Sequence, residues 1–403
     1  TAVLNIASEP RNASVFVDET SYSDRTPAVL ETILPGQHTV RLEKEGYLPW
    51  ETVLNFESRE ARVMGPIVLF LDVVPTLQRT IEATITAIHK ETSRFAYATQ
   101  ESSWLEVWIV DMASSETKLL MRFPYTATST YSISWSENGT YLALIETHGS
   151  RQDISVTRVS DGYSIALPKE ARDVEEAWWD LGVESRLYVR AGEELTQIDV
   201  GNLAQEILPF TAKRLSSFGN KTVTLSESSD RAALSYQEGK TASIITYLPL
   251  GDYEFISAPQ DLIGLSDTRH HRLILLDPQN REQPILMNEE VTHWKWSPSQ
   301  DVLLYSSGYD VKQYVRSAHE TSTITRLSTP IDGIDWLPKG SSAIYQTNGK
   351  TVAINLDGTT ILSQTFLATN LDGTFWLSPD GSFLYVLQET QTGWEWWTRN
   401  LQN

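Results

Sequence analysis

Cysteine is absent from the chain of 403 residues. Disulfide bonds and zinc sites built on thiolates are therefore excluded. Basic residues are also scarce, because 32 lysines and arginines stand against 52 aspartates and glutamates, which gives a formal net charge of −20. Proteins that bind nucleic acid usually present a basic face, so we expect no nucleic acid among the partners of this chain.

Long apolar runs are missing as well. The longest, Val63–Val74, is too short for a membrane-spanning helix and is interrupted by Pro66 and Asp72. The sequence starts at Thr1 rather than at a methionine, so we expect any signal or membrane anchor to lie in a preceding N-terminal segment.

Common catalytic and metal-binding sequence motifs are also missing. The sequence has no Gly-x-Ser-x-Gly elbow, no His-Glu-x-x-His and no Asp-x-Asp-x-Asp-Gly loop. Neighbouring residues of a strand face opposite ways, so His270-His271 is interpreted as an exposed hairpin tip rather than a metal site. The pairs Glu175-Glu176 and Glu193-Glu194 are ordinary in so acidic a chain, and the Leu-Asp-Gly-Thr copies at 356–359 and 371–374 are interpreted as turns. We predict no catalytic residue, no metal and no organic cofactor.

A strand–turn–strand unit recurs along most of the chain. In its clearest copy, Thr374–Leu387, the turn Ser378-Pro379-Asp380-Gly381 joins two apolar segments. Other copies surround turns that begin at Ser136, Ser297 and Leu337, the last being Leu337-Pro338-Lys339-Gly340. The last three turns follow at a period of about 40 residues, and several strands within such a period are typical of a β-propeller.

Eight copies of this repeat can be counted, which predicts eight blades. Their first strands begin near Ile85, Tyr131, Glu175, Lys213, Tyr253, Val291, Ile331 and Asp372. The fourth copy, residues 213–250, is the weakest, and its merger with a neighbour reduces the count to seven. The eighth copy has three strands before Asn403, so we expect an N-terminal strand within residues 72–81 to complete it and close the ring.

Residues 1–71 follow a different pattern. Alternating segments such as Ser14–Asp18 and His38–Leu42 predict short strands. Period-two alternation places His38, Val40 and Leu42 on one face. We therefore predict an all-β chain, with a compact antiparallel sandwich over residues 1–71 and a β-propeller over residues 72–403.

The first region resembles the PEGA domain, a small surface-associated β-sandwich. The resemblance is carried by Ser8, Pro10, Ala13, Val15, Val17, Asp18, Thr26-Pro27, Pro35-Gly36, His38, Val40, Leu42, Lys44 and Gly46-Tyr47. Pro10-Arg11-Asn12-Ala13 replaces the eponymous Pro-Glu-Gly-Ala, and Glu19 and Arg25 replace glycines, which predicts a longer or differently shaped hairpin. The resemblance implies a cell-surface or envelope protein, an N-terminal membrane anchor and no catalysis.

The repeats resemble the TolB-like and WD40-like propeller repeats of bacterial envelope proteins, whose signature is Trp-Ser-Pro-Asp-Gly. Trp296-Ser297-Pro298 and Ser378-Pro379-Asp380-Gly381 match it best, Trp135 and Trp336 hold the aromatic position, and Leu377 replaces it in the last copy. We expect the tryptophan to pack between neighbouring blades, the proline to set φ and Asp-Gly to accept positive φ. These residues are thus predicted to fold the chain rather than to bind a ligand.

Three functions remain open. The favoured one is a non-enzymatic cell-surface or envelope protein, tethered outside the cytoplasm by an N-terminal segment, whose propeller serves binding or assembly with a protein or a glycan as partner. The second is a carbohydrate-active or other hydrolytic propeller, which needs two inward carboxylates. The third is a scaffold subunit of a larger envelope complex, which needs an exposed apolar patch. Trp394 and Trp396 are expected on one face of their strand and Trp397 on the other, which leaves at least one face open to a partner.

Overall fold

The computed structural model describes residues 1–338, 342–357 and 360–402. Lys339 and Gly340 of the fourth predicted turn, Gly358 and Thr359 of the first Leu-Asp-Gly-Thr copy, and Asn403 lie outside these ranges. The described part is mostly strand, with no α-helix and with two 3-10 turns, Lys90–Thr92 and Lys169–Ala171.

Within the described ranges, no helix has the length and apolar character needed to cross a membrane. The chain packs into two compact units. The first comprises Thr1–Ile81 with Val291–Asn403, and the second comprises Glu82–Glu290.

Seven strands form a two-sheet sandwich in the N-terminal part of the first unit. They are β1 (Ala2–Glu9), β2 (Ser14–Val17), β3 (Thr20–Arg25), β4 (Ala28–Ile33), β5 (Gly36–Glu43), β6 (Trp50–Phe56) and β7 (Ala61–Val68). The strand orders of the two sheets are β4-β1-β7 and β3-β2-β5-β6. The expected alternation is present, because Val40 and Leu42 of β5 are fully buried and pack with Leu4 and Ile6 of β1 in one core.

The prediction that this sandwich is antiparallel throughout is wrong. β1 pairs with β4 in antiparallel fashion but runs parallel to β7, with Leu4 opposite Arg62. The chain leaves one sheet after β6 and enters the other in the direction of β1, so β7 is added as a parallel edge strand.

The β2–β3 hairpin closes in a tight two-residue turn, and its expected difference in shape lies further from the turn, where the register with β3 shifts between Ser14 and Phe16. Asp18 and Glu19 both occupy the left-handed region, with φ of 48° and 65°, between the paired residues Val17 and Thr20. The Asp18 carboxylate accepts a hydrogen bond from the Thr39 amide at 2.9 Å and lies 2.5 Å from Nδ1 of His38. These hydrogen bonds lower the pKa of Asp18, the one to His38 being the largest cause, and they hold the turn without glycine.

The segment after the sandwich is fastened on both sides within the first unit. The Leu48 amide donates to the Phe70 carbonyl at 2.8 Å, and the Leu71 amide donates to the Leu401 carbonyl at 3.0 Å. Phe70 is buried in one cluster with Leu384 and Leu401. The chain then continues into β8 (Thr76–Ile81). Burial of a phenylalanine stabilises by about 1.5–3 kcal/mol, so residues 68–71, all buried, form part of a core and not a free linker.

The second unit consists of five four-stranded antiparallel meanders. Their strands are β9 (Ile85–His89), β10 (Arg94–Glu101), β11 (Trp104–Asp111) and β12 (Glu116–Pro124); β13 (Thr130–Trp135), β14 (Tyr141–His148), β15 (Arg151–Arg158) and β16 (Tyr163–Ile165); β17 (Glu176–Trp179), β18 (Arg186–Ala191), β19 (Glu194–Asp199) and β20 (Gln205–Ile207); β21 (Arg214–Phe218), β22 (Lys221–Glu227), β23 (Ala232–Glu238) and β24 (Thr241–Leu248); β25 (Tyr253–Ile256), β26 (Ile263–Asp267), β27 (Arg272–Leu276) and β28 (Ile285–Glu290). Apolar side chains of neighbouring sheets interleave, as Val223 and Leu225 of β22 do with Leu265 of β26 and Ile274 of β27.

Three further four-stranded sheets belong to the first unit. Their strands are β29 (His293–Trp296), β30 (Val302–Ser306), β31 (Asp310–Val315) and β32 (Glu320–Arg326); β33 (Gly333–Trp336), β34 (Ser342–Thr347), β35 (Lys350–Asp357) and β36 (Thr360–Ala368); β37 (Thr374–Leu377), β38 (Phe383–Thr390) and β39 (Gly393–Asn400), completed by β8. β8 pairs antiparallel with β39, with Thr80 opposite Glu395.

Strand positions agree closely with the sequence pattern. The first strand of each of the eight repeat sheets starts within two residues of its predicted position, and residues 213–250, the weakest repeat, form the separate sheet β21–β24. The predicted pairing of the segment 72–81 with the last C-terminal strand is present.

Candidate ligand-binding cleft

The turns between the first and second strands of the sheets are held by local hydrogen bonds. In three of them a serine Oγ accepts a hydrogen bond from the amide five residues later: Ser136 from Tyr141 at 2.9 Å, Ser297 from Val302 at 3.1 Å and Ser378 from Phe383 at 2.9 Å. Hydrogen bonds from Ser378 and from the Ser382 amide lower the pKa of Asp380. Gly381 has φ +75°, as expected for the Asp-Gly part of the motif.

The tryptophan before the turn packs against the neighbouring sheet, as predicted. Nε1 of Trp135 in β13 donates to the Ala87 carbonyl in β9 at 3.1 Å, and Nε1 of Trp336 in β33 donates to the Lys295 carbonyl in β29 at 3.1 Å. The motif therefore fixes the position of each turn relative to the adjacent sheet.

Neighbouring turns of the second unit are also coupled by a carboxylate. Glu184, in the turn after β17, accepts hydrogen bonds from the Asn138 amide at 2.8 Å and from the Thr140 amide at 3.0 Å, and Ser136 Oγ also donates to it. Glu184 is thus occupied in holding the turn after β13.

A cleft of about 470 Å³ opens at this end of the second unit. We call it the inner-turn cleft and define it by segments 181–182, 216–219 and 255–264, with Val223. Phe218, Phe255 and Leu262 give it apolar surface, and Ser217, Ser257 and Gln260 give it hydroxyl and amide groups. This mixture suits a ligand that is partly polar and partly apolar, because few directional groups on an apolar wall are typical of ligand sites.

One wall of the inner-turn cleft is rigid. The fully buried Asp180 accepts hydrogen bonds from the Gly182 amide at 2.7 Å, from Ser217 Oγ at 2.8 Å and from the Tyr188 hydroxyl at 2.6 Å. Burial, and then the charge of Asp180, raise the pKa of Tyr188. A Cβ atom added to Gly182 would lie 2.8 Å from Cβ of Ser217, so the turn after β17 and the strand β21 of the next sheet are in close contact.

Glu137 lies beside the cleft and contacts its rim. Ser257 Oγ donates a hydrogen bond to the Glu137 carboxylate, which links the turn after β13 to the turn after β25. Burial raises the pKa of Glu137; the hydrogen bond from Ser257 opposes this, and Glu91 and Glu184 raise it further. Nε2 of His89 lies 2.9 Å from the Glu137 carbonyl oxygen and holds the same turn.

The acidic pairs noted in the sequence are not assembled into a catalytic pair. Both carboxylate oxygens of Glu176 bind arginine, one from Arg190 and one from Arg214, and Glu175 lies 3.9 Å from Arg151. Glu193 and Glu194 are exposed at the β18–β19 turn. No group of three or more histidines, aspartates or glutamates able to hold a metal ion occurs among the residues described.

The histidine pair and the C-terminal tryptophans lie outside the cleft. His270 and His271 are at the tip of the β26–β27 hairpin, as predicted, and Nδ1 of His270 lies 2.6 Å from the buried Asp267 carboxylate. Trp396 is buried, and Trp394 and Trp397 are half-buried. The indole of Trp397 donates to Glu395 at 3.1 Å.

Sequence reasoning missed the cleft. Segment 255–264 carries no Ser-Pro-Asp-Gly signature, and the segments that form the cleft come from three sheets. Pro259 after Ser257-Ala258 is the only local signal of an unusual turn at this place.

Comparisons with known proteins place both parts of the chain. Residues 1–64 match the sequence family described as the PEGA domain. No curated protein matches the sequence. Among solved structures, Saccharomyces cerevisiae Sqt1 is similar with a TM-score of 0.52 at 12% identity, over 82% of this chain and 99% of that one.

Two further solved structures are similar to this chain to about the same degree. The Dos1 propeller has a TM-score of 0.51 at 15% identity, over 82% of this chain and 96% of that one. A structure described as the eukaryotic initiation factor has a TM-score of 0.50 at 15% identity, over 83% and 94%. At such identities the likeness concerns the fold alone. The chain thus carries a PEGA domain at its N-terminus, followed by a region with the fold of WD40-type β-propellers.

Proposed function

We propose that this protein is a non-enzymatic, extracytoplasmic binding protein of the cell surface or envelope, in which the propeller binds its ligand through the inner-turn cleft. The observation that carries this proposal is the cleft itself, with Asp180 and Ser217 bound to each other beneath a surface of aromatic and hydroxyl groups. A preformed cleft of this kind reduces the ordering cost of binding.

The carboxylates near the cleft are engaged in hydrogen bonds within the protein, which supports a binding function over a hydrolytic one. Glu176, Asp180 and Glu184 each accept hydrogen bonds from several donors that hold turns and strands in place. Among the described residues this leaves Glu137, bound by Ser257 alone, as a single carboxylate at the rim. A glycosidase needs two carboxylates free to face the scissile bond. The protein is therefore proposed to act without a cofactor, on a protein or a glycan at the cell surface.

The propeller is proposed to have eight blades, one for each of the eight four-stranded sheets formed by β8–β39, and to be of the TolB-like envelope type. The pairing of β8 with β39 supports closure of the ring by an N-terminal strand. The proposed domain limits are residues 1–71 and 72–403.

The location is proposed from the PEGA match, because PEGA domains are typically extracellular or periplasmic. The membrane is proposed to be reached only through a segment that precedes Thr1. Cell fractionation of the full gene product tests this, and recovery in the cytosol alone would contradict it.

Binding is tested with the full chain on a glycan array and against a library of envelope-derived peptides. Phe218→Ala and Ser257→Ala should weaken the strongest interaction about tenfold, since each removes a group of the cleft. Tyr163→Ala is the matched control, because Tyr163 is exposed on β16 away from the cleft. Mass spectrometry of the bound ligand should find it unchanged, and its cleavage would refute the non-enzymatic proposal.

A further inference from the structure

A second depression lies on the same end of the second unit, further from the first strands of the sheets. We call it the outer groove; its volume is about 830 Å³ and it is formed by the start of β22, the facing ends of β23 and β24, and the β27–β28 turn at 278–281. In an antiparallel meander the first and third turns lie at the same end of the sheet, which is why both depressions open on one side. Phe218 of the inner-turn cleft and Tyr236 of the outer groove form the ridge between them, with ring centroids 6.5 Å apart.

The β27–β28 turn is held in place from within. The Gln279 amide donates to the Asp277 carboxylate at 2.8 Å, and the Asp277 amide donates to the Pro284 carbonyl at 2.8 Å. Oδ1 of Asn280 accepts from the Gln283 amide at 3.1 Å, so its Nδ2 is the part of the side chain left to face a ligand. The groove therefore has one preorganised polar wall.

The opposite wall contributes apolar surface. A β-bulge in β24 shifts the register between Thr246 and Ile244, and Ile245 is the additional residue. Ile244 is 52% exposed, and both isoleucines line the groove. Two aliphatic side chains beside amides and hydroxyls match a sugar, which has apolar C–H faces and a hydroxyl rim.

The charge of the groove departs from that of the chain. Lys221 and Arg281 line it with one carboxylate, Glu238, while Asp277 lies behind the wall bound to the Gln279 amide; the whole chain has a net charge of −20. The Lys221 ammonium lies 4.3 Å from the centroid of the Tyr236 ring, and among the residues that the structure describes neither Lys221 nor Arg281 forms an ion pair. Two cations without carboxylate partners are suited to bind an anionic group.

We propose that the outer groove binds an acidic saccharide, with the carboxylate or phosphate of the sugar held by Lys221 and Arg281 and the ring placed against Ile244 and Ile245. The proposal does not require the inner-turn cleft to be occupied. A flat aromatic ligand such as a nucleotide base fits less well, because the Tyr236 ring is already covered by Lys221 on one side and faces Phe218 on another.

The test is calorimetric titration of the full chain at pH 7 with tetragalacturonate and with its methyl ester, which is neutral and has the same rings. The acid should bind at least about tenfold more tightly than the ester, as expected for a charge-assisted hydrogen bond. A tetrasaccharide phosphate distinguishes a phosphate site from a carboxylate site. Higher salt should weaken binding of the acid, since the groove is open to solvent.

Variants assign the binding to this groove. Arg281→Gln and Lys221→Gln should each weaken binding of the acid about tenfold. Lys240→Gln is the matched control, because Lys240 is an exposed lysine of the neighbouring β23–β24 turn that does not line the groove. Gln260→Ala should have no effect here, because Gln260 lines the inner-turn cleft and not the outer groove, and this separates the two sites. Equal affinity for the acid and the ester would overturn the proposal, and so would a loss of affinity in Lys240→Gln as large as that in Arg281→Gln. Tighter binding of an acidic peptide than of the saccharide, abolished by Arg281→Gln, would also overturn it.

Discussion

The guanidinium of Arg399 donates a hydrogen bond to the main-chain carbonyl of Leu71 at 2.9 Å, and both residues are buried. Arg399 belongs to β39 and Leu71 to the segment that follows the sandwich, so this contact joins the two ends of the first unit. Burial lowers the pKa of Arg399, and the charge of Asp72 opposes that effect.

Replacement of this arginine should therefore destabilise the fold. Arg399→Ala leaves the Leu71 carbonyl without its partner and opens a cavity, at a cost of about 2–3 kcal/mol. The comparison is with Arg326→Ala, whose side chain is 77% exposed and should cost less than about 0.5 kcal/mol. Thermal and urea unfolding measure the loss of stability in both variants. An equal loss in the two would show that the buried contact with Leu71 stabilises the fold no more than an exposed arginine does.

Ring closure predicts a difference between two truncations. Removal of residues 1–71 should leave a folded propeller, and extension of the deletion through Thr80 should lower the melting temperature further. Both truncated chains lack Phe70 and Leu71, so the comparison isolates β8, which covers the edge of β39. If the two chains melt at the same temperature, β8 does not seal the last sheet.

A close contact at Gly139 predicts a larger penalty than backbone conformation alone. Gly139 has φ +71°, and an added Cβ atom would lie 3.1 Å from Nδ1 of His89. Gly139→Ala should cost about 1–3 kcal/mol. Gly149 has φ +63° with open space around it, so the loss of stability in Gly149→Ala comes only from the unfavourable backbone conformation. The difference between the two melting temperatures measures the contact with His89.

The raised pKa of Glu137 predicts a pH-dependent stability. The folded chain holds this proton more tightly than the unfolded chain, so the contribution is present below the ordinary value of 4.5 and is lost as pH rises through the folded pKa. Glu137→Gln should therefore gain stability relative to the native chain as pH rises above 4.5.

Asp161 provides a control of opposite sign. The hydrogen bond from Arg158 lowers the pKa of Asp161 to about 2. Its contribution is present above the ordinary value of 3.8 and is lost as pH falls. The stability lost in Asp161→Asn should therefore shrink on acidification. Melting temperatures measured between pH 3 and pH 7 test both signs, and parallel curves for the two variants would contradict them.

The non-glycine turn of the sandwich predicts a stabilising substitution. Glu19 has φ +65°, and Glu19→Gly removes that strain while it loses an exposed ion pair with Arg41. The net gain should be about 0.5 kcal/mol, since exposed pairs contribute little. Glu31→Gly, in β4, should instead destabilise by about 0.5–1 kcal/mol because glycine weakens a strand. Chemical unfolding of both variants would show opposite signs.

The features that local patterns in the sequence predicted are those that depend on residues close together in the chain. The turn at Ser378–Gly381 and the alternation of His38–Leu42 depend on neighbouring residues, so the strands lie close to their predicted positions. The parallel direction of β7 could not be predicted, because it depends on which sheet accepts the strand after the crossover.

The candidate site could not be predicted from local sequence patterns either, because its residues are far apart in the chain. Ser257 and Glu137 lie 120 residues apart and meet through their hydrogen bond, and no spacing rule connects them. Glu184 resembled any other acidic residue of this acidic chain until the amides of Asn138 and Thr140 were seen to bind it.

The pairing of β8 with β39 also constrains how the chain reaches its folded state. Thr76 contacts Thr398 across 322 residues of sequence. During synthesis β8 therefore has no partner strand until the 322 residues from Thr76 to Thr398 have been added. Contacts of such separation are slow to form, because the entropy of closing the loop is lost before the contact is made. The sheet of β37, β38, β39 and β8 is therefore completed late, and until then the backbone groups of β8 that pair with β39 are open to other partners.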